Sequence, residues 1–387
     1  MSRYKKAIPM VVASLVLAPV ALAQSEVSGA LSQNLDIQSN DGDTSIEANT
    51  GLSVDLRSET ATSSSVLSTG AALSIDDDGE VEITRPTLSF SLGQQEKRTR
   101  YSLSGSFQRR PTTFFEEEIG ELTPLEALLG IDPDVNINQF DTERTSYGLR
   151  ASISTDLTSR LGATFGLSGD VVDFEQTSSE LVPSTTLGMN SSLNYDVTDS
   201  LRVSANASLR FVDTDTATDI SNRILDVGGS FTRTINANET LTGGLGITTN
   251  EREEVFSTGT VTETESDLTF NLGYSRALPD GTLTFGFTQG SATDSAGETV
   301  TSSQVSAALE RQINQNTSFG LSTGFSRQTA IGGGDESTLF RVNPTLSWQL
   351  TRLVSANAGY TFQVDDDGDN DHRLLLGLSR SFGGPVR

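Results

Sequence analysis

The chain has 387 residues and a formal charge of −25, from 26 Lys and Arg against 51 Asp and Glu, with one histidine and no cysteine. Such acidity argues against nucleic acid or an anionic lipid surface as a partner. The absent thiols exclude a disulfide framework and a thiolate metal site.

Arg3, Lys5 and Lys6 precede an apolar run from Ala7 to Val20, followed by Ala21, Leu22 and Ala23. A positive start, an apolar middle and a small-residue end are the parts of a secretory signal, here 1–23, cut before Gln24. Read as a membrane helix, the run is too short to span. No cysteine follows the cut, so no lipid anchor is expected. Removing the three cations takes the charge to −28 (−25 − 3), and Lys97 is then the only lysine. No later run is apolar enough for a helical span, but spanning strands leave only a weak signal per segment and stay open.

Apolar and polar residues alternate at 27–37, 46–56, 67–75, 81–92 and 101–107, and again at 147–157, 161–171 and 187–197. The clearest stretch runs from Leu201 to Phe211. There Leu201, Val203, Ala205, Ala207, Leu209 and Phe211 alternate with Arg202, Ser204, Asn206, Ser208 and Arg210. A strand sends successive side chains to opposite faces, so one face is apolar and the other wet. The pattern continues at 225–235, 241–247, 268–278, 283–287, 305–313, 319–325, 340–350, 354–364 and 374–382. About eighteen strands are expected, with sixteen as the alternative, an even number that suits a closed antiparallel membrane barrel. One defect stands out: Val81 and Ile83 share one parity, Leu88, Phe90 and Leu92 the other. The change falls at Arg85 and Pro86, where a β-bulge would absorb it.

Connections are of two kinds. Short ones fall at 156–160, 196–200, 236–240, 279–281, 314–316 and 351–352, and longer acidic ones at 213–219, 250–267, 291–298 and 365–371. Short turns at one end and long loops at the other belong to outer-membrane barrels rather than to a sandwich or a β-helix. With no linker along the chain, 24–387 reads as one domain.

The short turns expose a repeat of one hairpin, 32 to 43 residues long (382 − 350 and 278 − 235). Strands entering them end on Leu157, Val197, Ile235, Leu278, Ile313, Leu350 and Phe382. Two residues earlier, on the same face, stand Thr155, Tyr195, Arg233, Arg276, Arg311, Trp348 and Arg380. Aromatic and arginine side chains in that row suit a headgroup girdle, where rings anchor and guanidinium groups snorkel. The opposite face is mostly Ser, Thr, Asn and Gly, the lining of a watery lumen rather than of a packed core. By parity Arg150, Arg202, Asn206, Arg210 and Arg373 point inward, with Glu310 as one of few inward acids.

The signal segment, the hairpin repeat and the last strand (Leu374, Leu375, Leu376, Gly377, Leu378, Ser379, Arg380, Ser381, Phe382) together resemble Gram-negative outer-membrane β-barrels of the large porin-like families. The resemblance implies an all-β transmembrane barrel in the outer membrane. Its partners would be membrane lipid and lipopolysaccharide, and the barrel-assembly machinery would read Phe382 as the terminal aromatic. Arg380 stands where that assembly signal carries an apolar residue, and 383–387 extend beyond the aromatic.

The longest break, 111–143, is the third long connection. Thr123, Pro124, Leu125 and Glu126 form a capping box with Pro at the first helical position. A short helix is expected over 124–129, with Leu125, Leu128 and Leu129 on one face and Glu116, Glu117 and Glu118 before it. In porins the third loop constricts the lumen, and the resemblance implies a constriction or a lid here. Acidic tips at 76–78, 116–118, 213–219, 251–254 and 365–371 could share divalent cations with lipopolysaccharide, although none has the ligand spacing of a dedicated calcium loop. His372 is the only histidine, and no oxyanion motif or nucleophile context accompanies it. The sequence thus points to a channel for small hydrophilic solutes or ions with a weak cation preference and no cofactor. A structural or polysaccharide-export accessory barrel is the first alternative, and a rim lipid hydrolase the second.

Overall fold

The computed structural model describes residues 24–40, 43–75, 81–111, 143–175, 182–214, 220–256, 259–293, 299–330, 336–365 and 370–385. Segment 1–23 lies outside them. So does 112–142, with Glu116, Glu117, Glu118, Leu125, Leu128 and the expected helix.

The described residues form strands joined by turns. The first nine strands are β1 (Gln24–Asn40), β2 (Asp43–Glu59), β3 (Ser63–Ile75), β4 (Val81–Glu96), β5 (Thr99–Pro111), β6 (Glu143–Asp156), β7 (Leu161–Phe174), β8 (Ser184–Thr198) and β9 (Leu201–Thr214). The second nine are β10 (Ile220–Asn236), β11 (Glu239–Phe256), β12 (Gly259–Leu278), β13 (Gly281–Thr293), β14 (Thr299–Asn314), β15 (Thr317–Ala330), β16 (Glu336–Gln349), β17 (Val354–Asp365) and β18 (Asn370–Pro385). Each pairs antiparallel with its neighbours in sequence. β18 returns to β1 from Glu26↔Pro385 to Asn40↔Asp371, so the 18-stranded sheet closes on itself. Closure leaves no strand edge, and an edge in lipid would leave backbone groups without partners.

The expected strands are all present, and most run further than the alternation reaches. The acidic connection expected at 250–267 is corrected: β11 continues to Phe256 and β12 begins at Gly259, paired from Phe256↔Gly259 to Thr248↔Asp267. Alternating Thr260, Thr262 and Thr264 suit a strand, but with both faces polar no apolar row marked it. β18 likewise runs past Phe382, pairing Gly383 and Gly384 with Ser28 and Val27. The parity defect in β4 is a bulge: Gly70 faces Thr87 and Ala72 faces Thr84, so Arg85 and Pro86 stand against Ala71 alone. Arg85 takes a left-handed φ of 54° to make it.

The short turns share a chemistry. In the turns after β2, β6 and β16 the Oγ1 of Thr60, Thr158 and Thr351 accepts backbone N–H groups two and three residues on. After β10 and β14 the Oδ1 of Asn236 and Asn314 accepts the N–H of Asn238 and Asn316, each at 2.9 Å. Such side-chain acceptors replace a backbone turn bond and set the hairpin register.

The outer face exposes Leu52, Leu149, Leu167, Leu187, Val227 and Leu245, and Leu268 remains 71% exposed. In water this belt would be costly, at about 25 cal/mol per Å²; in hydrocarbon it is the solvated surface. Glycines on the two faces are covered in two different ways. On the outer face, Phe382, Phe90 and Phe231 lie over Gly29, Gly105 and Gly243, their direct cross-strand partners. On the inner face, Asn190 covers Gly166, Asn271 covers Gly244, and Asn357 and Asn34 both cover Gly377. Each pair fills the gap left by a missing side chain with a neighbour suited to that face.

Candidate solute pathway

The pathway is the space enclosed by the inner rows. All six inner-face residues read from parity, Arg150, Arg202, Asn206, Arg210, Glu310 and Arg373, stand on the parity opposite the outward apolar rows of their strands and so face inward. Their surroundings differ from the expectation in one respect. Glu310 is not one of few inward acids: Asp36, Asp170, Asp196, Asp226 and Asp267 share the inner face, because the register places them on the same parity.

Each of the four arginines has one of these aspartates beside it. Arg202 donates from Nε to Asp196 Oδ1 at 2.6 Å and from Nη2 to Oδ2 at 3.2 Å. Arg150 Nη2 lies 3.7 Å from Asp170 Oδ1, and Arg210 Nη2 lies 3.7 Å from Asp226 Oδ2. Asp226 also accepts the hydroxyls of Ser208, at 2.8 Å, and of Thr248. Arg373 donates from Nε to both Asp36 oxygens, at 2.8 and 2.9 Å, and from Nη2 to Oδ2. That last pair is the most buried, with side chains 12% and 8% exposed, and it crosses the closing β18–β1 seam. The forked guanidinium matches a carboxylate, so the Arg202–Asp196 and Arg373–Asp36 couples are directional as well as neutral.

The inner wall changes along the axis. Near the short turns Arg202, Asn206, Thr232, Thr234, Glu310 and Ser347 are exposed. Toward the long connections the inner face is buried: Asn222, Thr248, Asn250, Val212, Leu339 and Gln363 are all below a tenth exposed, and Ile224 is wholly buried. The inner face is thus exposed toward the short turns and buried toward the long connections. Apolar inward residues there (Phe174, Val212, Ile224, Val300) went unremarked in the sequence because they continue the parity of a polar row.

The row read as a girdle, Tyr195, Arg233, Arg276, Arg311, Trp348 and Arg380, stands on the outer face just before the short turns. Within it Arg276 Nε lies 3.5 Å from Glu239 Oε1. Phe382 also faces outward, in the seam. His372 faces outward as well, with Nδ1 2.7 Å from the Tyr360 hydroxyl and its ring 5.1 Å from Phe362. Its imidazole is engaged by an aromatic cluster rather than by a serine. Among the described residues no group of three or more His, Asp or Glu could hold a metal ion. The tips at 76–78, 116–118 and 366–369 lie outside them.

No known family and no curated protein matches the chain. Solved structures match it in fold. OpdL of Pseudomonas aeruginosa superposes with a TM-score of 0.52 at 11% identity, over 93% of this chain and 99% of that one. OccAB4 of Acinetobacter baumannii gives 0.51 at 12% identity, over 95% and 100%. OccK5 (OpdH) of Pseudomonas aeruginosa gives 0.50 at 13% identity, over 94% and 99%. These are outer-membrane porins, and the chain shares their closed 18-stranded all-β barrel.

Proposed function

We propose that the protein is a porin-like outer-membrane channel for small hydrophilic solutes and ions, with a modest cation preference set at its mouth. One observation carries the reading: a closed barrel, apolar outside, has an inner face of small polar residues that stays exposed through the short-turn half. The short turns and both ends of the described barrel then face the periplasm. Tyr195, Trp348 and the outward arginines anchor that rim among lipid headgroups, and Phe382 serves assembly. Acidic long connections concentrate cations at the outer mouth. The inner arginines oppose them little, because an aspartate beside each cancels its field. Lipopolysaccharide with shared divalent cations surrounds the rim.

Reversal potentials across planar bilayers in a salt gradient test this, with cation preference expected in wild type and reduced in a Glu116/Glu117/Glu118→Gln variant. Anion preference in wild type would refute the selectivity. The buried inner face toward the long connections favours a second reading, a structural or export-accessory barrel without an open channel. Absence of conductance even after shortening 111–143 would establish that reading over the first.

A further inference from the structure

Inward glycines of this barrel are generally covered by a polar neighbour, and Gly228 departs from the pattern. Gly228 and Gly246 face each other across β10 and β11. A Cβ on Gly228 would meet only backbone, the Leu245 carbonyl oxygen at 2.8 Å and Gly246 Cα at 3.1 Å; one on Gly246 would meet Thr269 Oγ1 at 2.6 Å and the Val227 carbonyl oxygen at 3.0 Å. Two facing glycines thin the wall at this point. A glycine inside a strand weakens it, and commonly marks a place where something must approach the backbone closely.

The thinned wall is the floor of a recess of about 400 Å³, within the range of small-molecule sites. Around it stand Asn190, Asn206, Ser230, Thr269 and Asn271, with Asp226 at one side. Part of this polar capacity is already used: Asn206 Nδ2 donates to Ser230 Oγ at 3.2 Å, and Asp226 accepts Ser208 and Thr248. The side-chain amides of Asn190 and Asn271 form no hydrogen bond among the described residues, and each offers both donors and an acceptor. Arg210 is the cation beside Asp226, at 3.7 Å, so the recess has no net charge to attract an anion.

We infer that this recess is a transit site for neutral polyhydroxylated solutes, the chemical class of simple sugars. Hydroxyl groups that both donate and accept match a ring of amides and hydroxyls. A carboxylated solute gains nothing from an arginine already neutralised by Asp226, and its charge finds no free cation in the recess. The apposed glycines let the flat side of a ring come close to the wall, and Asn190 and Asn271 hold its edge. The inference deepens the channel reading and rests on it.

The experiment compares glucose with glucuronate, which carries the same ring and one added carboxylate, on single channels of the full barrel. Wild type should show concentration-dependent current block by glucose at several-fold lower concentration than by glucuronate. The Asn190→Ala/Asn271→Ala variant should need about tenfold more glucose for the same block, as expected for two lost hydrogen bonds. That variant keeps the glycine floor. A Gly246→Val variant, which fills the recess, should abolish the block if it folds, and the amide variant decides the matter if it does not. Equal block by the two sugars, or unchanged block in the amide variant, would overturn the transit site while leaving the channel intact. A barrel that passes no current at all would fail at the channel reading instead.

Discussion

An arginine on the wall of a watery barrel sets a local potential only when nothing beside it cancels the charge. Replacing Asp226 by Asn should therefore release the charge of Arg210 and shift the permeability ratio toward anions. The shift should be about twofold, since a unit charge about 10 Å from an ion's path in water is worth about 0.4 kcal/mol. It should fade at high salt, where the Debye length falls to about 3 Å. Reversal potentials at low and high salt would check this, and an unchanged ratio at low salt would mean that Arg210 was never neutralised by Asp226. The Arg373–Asp36 couple has a different consequence, because both side chains are nearly buried. Asp36→Ala would leave a buried guanidinium without its carboxylate, at a cost of about 3–5 kcal/mol. Urea unfolding of the detergent-folded barrel should show a clear loss, and an Asp36→Ala/Arg373→Met double variant should recover much of it. Equal stability of wild type and Asp36→Ala would show that the couple does not fasten the seam.

At the scale of elements, the seam between β1 and β18 is held in three ways. A backbone ladder runs its length, Phe382 covers Gly29 on the lipid face, and Arg373 grips Asp36 on the lumen face. Phe382→Ala should lower the folded fraction, read as the heat-modifiable band on gels, because it opens a gap over Gly29 where the sheet must close. Deleting 383–387 removes only the end of the ladder, from Ser28↔Gly383 to Glu26↔Pro385, and should cost less. A deletion worse than Phe382→Ala would shift the assembly role from the aromatic to the terminal pairs. The Phe231–Gly243 pair offers a control away from the seam. Phe231→Ala should destabilise the barrel by about 1 kcal/mol, the upper end of a cross-strand pair, without the insertion defect of Phe382→Ala.

For the whole molecule, the topology divides the surface into two ends that can be labelled separately. The chain has no cysteine, so single cysteines report position without background. Gly259→Cys, at the tip of the β11–β12 hairpin, should react with an impermeant thiol reagent on intact cells. Gln315→Cys, in the turn between β14 and β15, should react only after the outer membrane is permeabilised. The reverse pattern would invert the barrel and move the acidic connections to the periplasm.

Much of this architecture can be read from local pattern. The alternation from Leu201 to Phe211 specifies a strand and its two faces, and the change of parity at Arg85 and Pro86 specifies a bulge. Thr and Asn at the short turns specify hairpins. These are properties of a few consecutive residues, because the side chain's direction repeats every two positions along a strand. The pairing of charges cannot be read in the same way. Asp170 meets Arg150 because Gly148 faces it across β6 and β7, and Asp226 collects Ser208 and Thr248 from the strands on either side. Arg373 reaches Asp36 across 337 positions of sequence, and only because the sheet closes. The same holds for the recess at Gly228 and Gly246 and for the buried inner face around Ile224. Parity decides only whether a residue faces lipid or lumen; its lateral neighbours depend on the register of separate strands and on closure, which distant parts of the chain set together.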